Sequence, residues 1–134
     1  MKQLILIRGL PGSGKSTLGE LMGRSYRQTT QAFHIEADMF FLDAQGKYVY
    51  EAHKIYQAHK WCQETTETLL QSDEEVVVIV SNTFVQHWEM KPYFLIAEQH
   101  GAVMQIIECK GRFGNNHGVP IEVIQRMNDR WEDI

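Results

Sequence analysis

The sequence contains little cysteine and proline, no long apolar run and only a small excess of one charge. Its two cysteines, Cys62 and Cys109, lie far apart and outside any C-x-x-C spacing, so no disulfide framework is indicated. The first apolar run, residues 4–7, is too short for an export signal, and no run approaches the roughly 20 residues of a membrane span. We therefore expect a reduced, cytoplasmic protein without a membrane partner.

Charge and composition further limit the class of protein. The 134 residues carry 13 Lys and Arg against 17 Asp and Glu, which gives a formal net charge of −4. Broad, nonspecific binding to nucleic acid requires a basic surface and is not expected, although a small basic cleft is compatible with this balance. The hydrophobic share of 43% and the charged share of 22% exclude disorder and predict one globular domain over residues 1–134.

Residues 9–17, GLPGSGKST, form the most informative motif. The apolar run before it has the length of a buried parallel strand, and Leu18, Leu21 and Met22 after it have the spacing of an amphipathic helix. The motif fits G-x-x-x-x-G-K-[ST] without a gap, in the strand-to-helix context that this pattern requires. We expect the phosphates of ATP or GTP to be bound by Gly9, Pro11, Gly12, Ser13, Gly14, Lys15, Ser16 and Thr17.

The chemistry of this motif is electrostatic. Glycines allow successive backbone N–H groups to turn inward around an anion, and the helix that follows adds its positive amino-terminal end. Lys15 supplies a full charge for the outer phosphates, and the Ser16 hydroxyl is suited to bind Mg²⁺. The motif therefore predicts a site for a nucleoside triphosphate with Mg²⁺ as cofactor.

Strand-like and helix-like segments alternate along the whole chain. Strands are predicted at 4–7, 32–35, 76–80 and 103–107, and helices from residue 18, over 52–70, over 88–100 and over 120–131. This alternation predicts right-handed βαβ units, and with the motif it indicates an α/β P-loop NTPase: a parallel sheet of about four or five strands with helices on both faces. The ligand is expected at the carboxyl ends of the strands.

Polar residues follow the second and third predicted strands, at 36–38 (EAD) and 81–83 (SNT). Asp38 is placed to accept a proton from a hydroxyl that attacks the γ-phosphate, which is the work of a general base. Its position equally allows a role as a helix cap or turn residue, since Asp is favoured at both.

Residues 110–118, KGRFGNNHG, contain three glycines and two cations between a strand and a helix, which is typical of a flap over a nucleotide. There Arg112 would stabilise the transferring phosphoryl group, and a solvated loop with an uninvolved arginine is the alternative. A zinc site on His53, His59 and Cys62 is disfavoured, because structural zinc needs four ligands and no second cluster completes the set.

Several segments together resemble one family. GLPGSGKST, EADMFF, HKWCQ, VSNTF, MKPY and NNHGVPIEVIQRM, in this order and spacing, are similar to the small P-loop kinases of the 5′-polynucleotide kinase type. These include the kinase domains of phage polynucleotide kinase–phosphatase and of NEDD4-binding proteins, in the AAA-like zeta-toxin and kinase group. The likeness covers nearly the whole chain.

The resemblance implies an enzyme that moves the γ-phosphate of ATP to a 5′-hydroxyl of DNA or RNA. It puts the base on Asp38 and the lid on residues 110–118, where Arg112 matches the family's lid arginine after a shift of a residue or two. Two positions depart from the family. Phe41 stands where some members have a basic residue, and a phenylalanine offers only a stacking or packing face. Residues 81–83 lack an acid, which leaves Ser16, water and the help of Asp38 to hold Mg²⁺.

Three functions are open from the sequence. The first is an ATP- and Mg²⁺-dependent kinase of a nucleic acid 5′ end, with Lys15, Asp38 and Arg112 as catalytic residues. The second is a kinase of a nucleoside, sugar or other small alcohol, which the acidic charge and Phe41 favour. The third is a nucleotide-dependent switch with little turnover, which the missing acid after the third strand suggests.

Overall fold

Strands and helices alternate in the structure as the hydrophobic pattern predicts. It is a computed structural model that describes residues 1–114 and 118–134. None of the helices within these ranges has the length and apolarity that a membrane span requires. The strands are β1 Lys2–Arg8, β2 Gln31–Ile35, β3 Val76–Asn82 and β4 Val103–Glu108, and the helices are α1 Lys15–Arg27, α2 Ile55–Leu70, α3 His87–His100 and α4 Ile121–Asp129, with short 3-10 helices at Ala37–Phe41 and Ala52–Lys54.

The four strands form one parallel sheet in the order β2-β3-β1-β4. The most β-branched strand, β3, lies inside the sheet and is buried along its whole length. Its register pairs Ser81 with Ile7 of β1, and Val80 with Ile35 of β2. The loop after β1 and the residues that follow β2 and β3 therefore meet at one edge of the sheet.

Helices cover both faces of the sheet, which confirms the predicted fold class. Side chains of a strand alternate between the two faces, so each strand contributes to two separate hydrophobic clusters. On one face α1 packs through Leu18, Met22 and Tyr26, and on the other α2 and α3 pack through buried residues that include Ala58, Cys62, Leu70, Met90, Tyr93 and Ile96.

The helix ends differ slightly from the sequence expectation. Helix α3 begins at His87, one residue before the predicted start, because the Glu89 carboxylate accepts the Gln86 N–H at 2.9 Å, and Pro92 falls in its second turn. The same helix ends as predicted, at Gly101, whose φ of 66° is in the left-handed region. Helix α4 ends at Asp129, two residues before the predicted end.

A wholly buried arginine ends β1. Arg8 donates through Nε and Nη2 to the Phe84 carbonyl oxygen at 3.0 and 2.8 Å. Its Nη2 also donates to the carbonyl oxygens of Val85 at 3.1 Å and Glu132 at 2.7 Å. One guanidinium therefore joins the end of β1, the loop after β3 and the carboxyl-terminal segment.

The same guanidinium has two further neighbours. It lies 4.0 Å from the centre of the Trp131 ring, a cation–π contact, and its Nη1 lies 3.8 Å from Glu108 Oε1, an ion pair without a hydrogen bond. Phe84, whose carbonyl it holds, has a φ of 44°, which is strained for a residue other than glycine. Arg8 therefore stabilises a strained loop as well as the chain end.

Replacing Arg8 by methionine is expected to lower the free energy of unfolding by about 3–5 kcal/mol, because three carbonyl groups lose their buried donor. Urea denaturation followed by circular dichroism measures this change. The matched control is Arg24→Met on the exposed face of α1, where a loss within about 0.5 kcal/mol is expected. Equal losses in the two variants would contradict the role given to Arg8.

Candidate functional site

The glycine-rich loop, residues 9–14, turns the chain from β1 into α1 at the sheet edge. The Gly9 N–H donates to the Thr83 carbonyl at 3.3 Å, which ties the loop to the end of β3, and the Ser13 N–H donates to the Leu10 carbonyl at 3.1 Å. Gly12 and Gly14 have φ values of 81° and 94°, which only glycine adopts without strain. The glycines of the motif thus permit the reversal that the sequence predicts.

The amino terminus of α1 is arranged to attract an anion. No side chain among the described residues caps it, and its first turn carries no acidic residue. The first N–H groups of a helix lack intrahelical partners and carry the positive end of its dipole. Ser13 Oγ is buried without a partner in the described residues, and Lys15 Nζ lies 3.3 Å from the Leu10 carbonyl, back over the loop. These groups fit a polyphosphate.

The negative charge of the predicted base, Asp38, acts on Lys15. Burial lowers the pKa of Lys15, while the negative charges of Glu36, Asp38 and Cys109 in its thiolate form oppose that shift. The lysine and two carboxylates that follow β2 therefore act on one another at the same edge of the sheet. A cation between carboxylates and a helix amino terminus suits the transfer of a negatively charged group.

Glu36 forms a buried polar network that the sequence analysis did not single out. Ser81 Oγ donates to Glu36 Oε1 at 2.7 Å, and His34 Nε2 lies 2.6 Å from Ser81 Oγ. Burial raises the pKa of Glu36, but hydrogen bonding with His34, Ser16 and Ser81 outweighs it and lowers the pKa to about 2. Glu36 is therefore ionised at neutral pH.

Asp38 lies in the 3-10 helix Ala37–Phe41, one turn beyond β2. The Tyr48 hydroxyl donates to Asp38 Oδ1 at 3.3 Å, and burial together with the Asp38 charge raises the pKa of Tyr48 to about 12. Asn82 fixes this turn, since its Oδ1 accepts the Ala37 N–H at 2.9 Å while its Nδ2 donates to Cys62 Sγ at 3.6 Å. Asn82 thus holds the first residue of the turn that carries Asp38.

A groove of about 470 Å³ lies beside the start of α1. It extends from Ser16 past Glu36 to Leu21 and Arg24 on α1. Phe41, considered from sequence as a stacking or packing face, is 4% exposed and packs in the core.

The segment after β4 rests on the glycine-rich loop, at the place predicted for the lid. The Cys109 N–H donates to the Arg8 carbonyl at 2.8 Å, and the Phe113 N–H donates to the Gly12 carbonyl at 2.7 Å. Arg112 is exposed between these contacts. Residues 115–117 of the predicted lid lie outside the described residues, and the catalytic role of Arg112 stays a prediction.

The structure also describes the surroundings of Cys62 and His59, two of the residues of the disfavoured zinc site. Within residues 1–114 and 118–134, no group of three or more His, Cys, Asp and Glu is arranged to hold a metal ion. Cys62 is buried and accepts a hydrogen bond from Asn82. Burial lowers the pKa of His59, and the charges of Glu89 and Asp38 oppose this shift.

We expect Gly12→Ala to weaken ATP binding roughly 10- to 100-fold, as a strain of about 1–3 kcal/mol implies. A Cβ there would be strained at φ 81° and would lie 2.8 Å from the Phe113 carbonyl oxygen. The control is Gly46→Ala, at φ 80° with nothing within 4 Å, which should leave ATP affinity unchanged. Calorimetric titration measures both, and equal ATP affinities would contradict the importance of the loop conformation.

Known proteins are similar to this chain in sequence and in fold. Residues 4–112 match the AAA domain family. Human NEDD4-binding protein 2 is 29% identical over 138 residues, a match that covers 96% of this chain but 8% of that protein, so the chain spans only a small part of its length.

Two solved structures are similar in fold. The Mycobacterium tuberculosis APS kinase CysC, in complex with AMPPNP and APS, has a TM-score of 0.62 at 15% identity, over 95% of this chain and 68% of that one. A chain of the Pnkp1/Rnl/Hen1 RNA repair complex has a TM-score of 0.59 at 17% identity, over 99% of this chain and 40% of that one. The chain therefore belongs to the AAA domain family and has the α/β fold of P-loop kinases.

Proposed function

We propose that this protein is an ATP- and Mg²⁺-dependent kinase that moves the γ-phosphate of ATP to a 5′-hydroxyl of DNA or RNA. The observation that carries the proposal is the meeting of the glycine-rich loop, Lys15 and the Asp38 carboxylate at one sheet edge. Phosphoryl transfer depends chiefly on positioning and on neutralising charge, and these groups supply both.

Each residue has a role in the proposed reaction. The loop N–H groups and Lys15 bind the phosphates, and Arg112 covers them. The acceptor oxygen attacks the γ-phosphorus, its proton passes to Asp38, and the bond from the γ-phosphorus to the bridging oxygen of ADP breaks. Mg²⁺, when bound near Ser16, neutralises charge on the phosphate oxygens.

A pair of stacked aromatic rings near Asp38 favours a nucleic acid acceptor. The Tyr48 ring, whose hydroxyl reaches Asp38, stacks on Tyr50 with ring centres 6.3 Å apart and planes 15° apart. Tyr50 is 52% exposed, so a base can stack on its outer face. The likeness to human NEDD4-binding protein 2 and to a chain of an RNA repair complex supports the same acceptor class.

A small alcohol is the second candidate acceptor. The groove of about 470 Å³ beside Ser16 has the size of a small-molecule site, and the net charge of −4 disfavours a long polyanion. The similarity in fold to an APS kinase is compatible with this candidate. Phosphate-transfer assays with each class of acceptor distinguish the two candidates.

Asp38→Asn is expected to slow phosphate transfer at least about 100-fold, because an amide cannot take the acceptor's proton. Transfer is measured with γ-labelled ATP and a 5′-hydroxyl oligonucleotide, and ATP affinity should stay at the wild-type value. The matched control is Asp43→Asn, since Asp43 accepts the Gln45 and Lys47 N–H groups at 2.9 Å, bonds that an asparagine oxygen retains. Transfer at the wild-type rate in Asp38→Asn would remove Asp38 from the mechanism.

Tyr50→Ala is expected to raise the KM for an oligonucleotide roughly 5- to 100-fold, because a stacked base contributes about 1–3 kcal/mol. The kcat and the KM for ATP should change little, since the proposed phosphate site is formed by the glycine-rich loop and Lys15. The control is Tyr56→Ala, which removes a 72% exposed tyrosine of α2. An unchanged oligonucleotide KM, with efficient phosphorylation of nucleosides or sugars, would favour the small-alcohol candidate.

A further inference from the structure

The proposed kinase lacks an acid where the metal needs one. In P-loop enzymes Mg²⁺ is held by the Ser or Thr of the loop together with a carboxylate from a neighbouring strand. Mg²⁺ keeps several of its water ligands, and those waters need oxygen acceptors nearby. Here the end of β3 next to the loop carries Ser81 and Asn82, neither of which is charged.

The register of the sheet brings a carboxylate to this point from the adjacent strand. Ile35 of β2 pairs with Val80 of β3, so the next residues, Glu36 and Ser81, lie side by side. Ser81 Oγ donates to Glu36 Oε1 at 2.7 Å, and His34 Nε2 lies 2.6 Å from the same hydroxyl oxygen and 3.4 Å from the carboxylate. The Glu36 carboxylate is therefore held in place directly over Ser81.

Glu36 also faces the position where the metal would bind. Its side chain is 14% exposed and lines the same groove as the Ser16 hydroxyl. Asp38, which the sequence suggested as helper to Ser16, accepts a hydrogen bond from Tyr48 and does not line this groove. Of the two carboxylates that follow β2, Glu36 is therefore the better placed beside Ser16.

We propose that Glu36 is the magnesium-positioning acid of this protein, accepting hydrogen bonds from the water ligands of Mg²⁺ in place of a carboxylate at the end of β3. Ser81 and His34 orient it, and Asp38 is left to act as the base. This inference rests on the proposed function, because it assigns a residue to the metal that accompanies ATP.

A purely structural brace is the other explanation for the Glu36 network. Such a brace would alter the melting temperature and would leave the effect of Mg²⁺ on ATP binding unchanged. The two explanations therefore differ in metal dependence, which is measurable without catalysis.

The test is calorimetric titration of ATP into the full chain, once with excess MgCl₂ and once with EDTA. Glu36→Gln should reduce the tightening of ATP binding by Mg²⁺ by about 10- to 100-fold, the usual effect of losing an outer partner of a metal. In EDTA the variant should bind ATP at least as tightly as the wild type, because a negative charge beside the phosphates is gone. That metal-free titration also shows that the variant is folded.

Two further variants make the outcome specific. Glu20→Gln is the matched control, since Glu20 lines the same groove and reaches His34 Nδ1 at 3.4 Å on the far side of the ring from Ser81. It should keep the wild-type magnesium effect. Combining Glu36→Ser with Ser81→Asp moves the carboxylate to β3 and should restore most of that effect.

Failure of the role proposed for Glu36 can be distinguished from failure of the proposed function. A wild-type magnesium effect in Glu36→Gln, or an equal loss in Glu20→Gln, would overturn the role of Glu36 and leave the kinase proposal standing. Failure of the wild-type chain to bind ATP under either condition would instead overturn the proposed function itself.

Discussion

The positive amino terminus of α1, open to a polyphosphate, is the feature on which the proposed function depends. Gly12 and Gly14 take left-handed conformations to open that terminus, and Lys15 adds a full charge beside it. The parallel sheet then aligns the ends of β1, β2 and β3, so that the negative charges of Glu36 and Asp38 act on the lysine. The groups proposed for phosphate binding and for proton transfer are thereby brought to one edge.

The rigidity of this edge comes from buried polar groups. Arg8, directly before the loop, holds the strained Phe84 and the carboxyl-terminal segment through carbonyl hydrogen bonds. Asn82 holds the turn that carries Asp38, and Ser81 holds Glu36. Because an unpaired buried donor or acceptor is costly, each of these groups specifies a single position for its neighbour. The site is thus supported by polar contacts as well as by the hydrophobic core.

Local patterns predicted much of this arrangement, and long-range pairing accounts for what they missed. The glycine motif, the apolar runs and the alternation of elements predicted the loop, the four strands and the fold, since each is encoded in neighbouring residues. The roles of Arg8 and Glu36 depend on which strands are adjacent and in what register, which a single sequence does not specify. The signals for these roles in the sequence were an arginine at the end of one apolar strand and a glutamate directly after another strand. Local patterns did not predict the burial of Phe41, because it depends in part on ring contacts with Tyr48 and Tyr50 from the following loop.

The account rests on the claim that the N–H groups at the start of α1 bind the phosphates of a nucleotide. Two-dimensional amide NMR of the ¹⁵N-labelled protein, titrated with Mg²⁺ and ATP, tests it most directly. The account predicts that the largest shifts fall on Gly12, Gly14, Lys15 and Ser16 and that Lys15→Met reduces them. Saturating ATP that leaves these amides unmoved, or that moves only residues far from the loop, would contradict it.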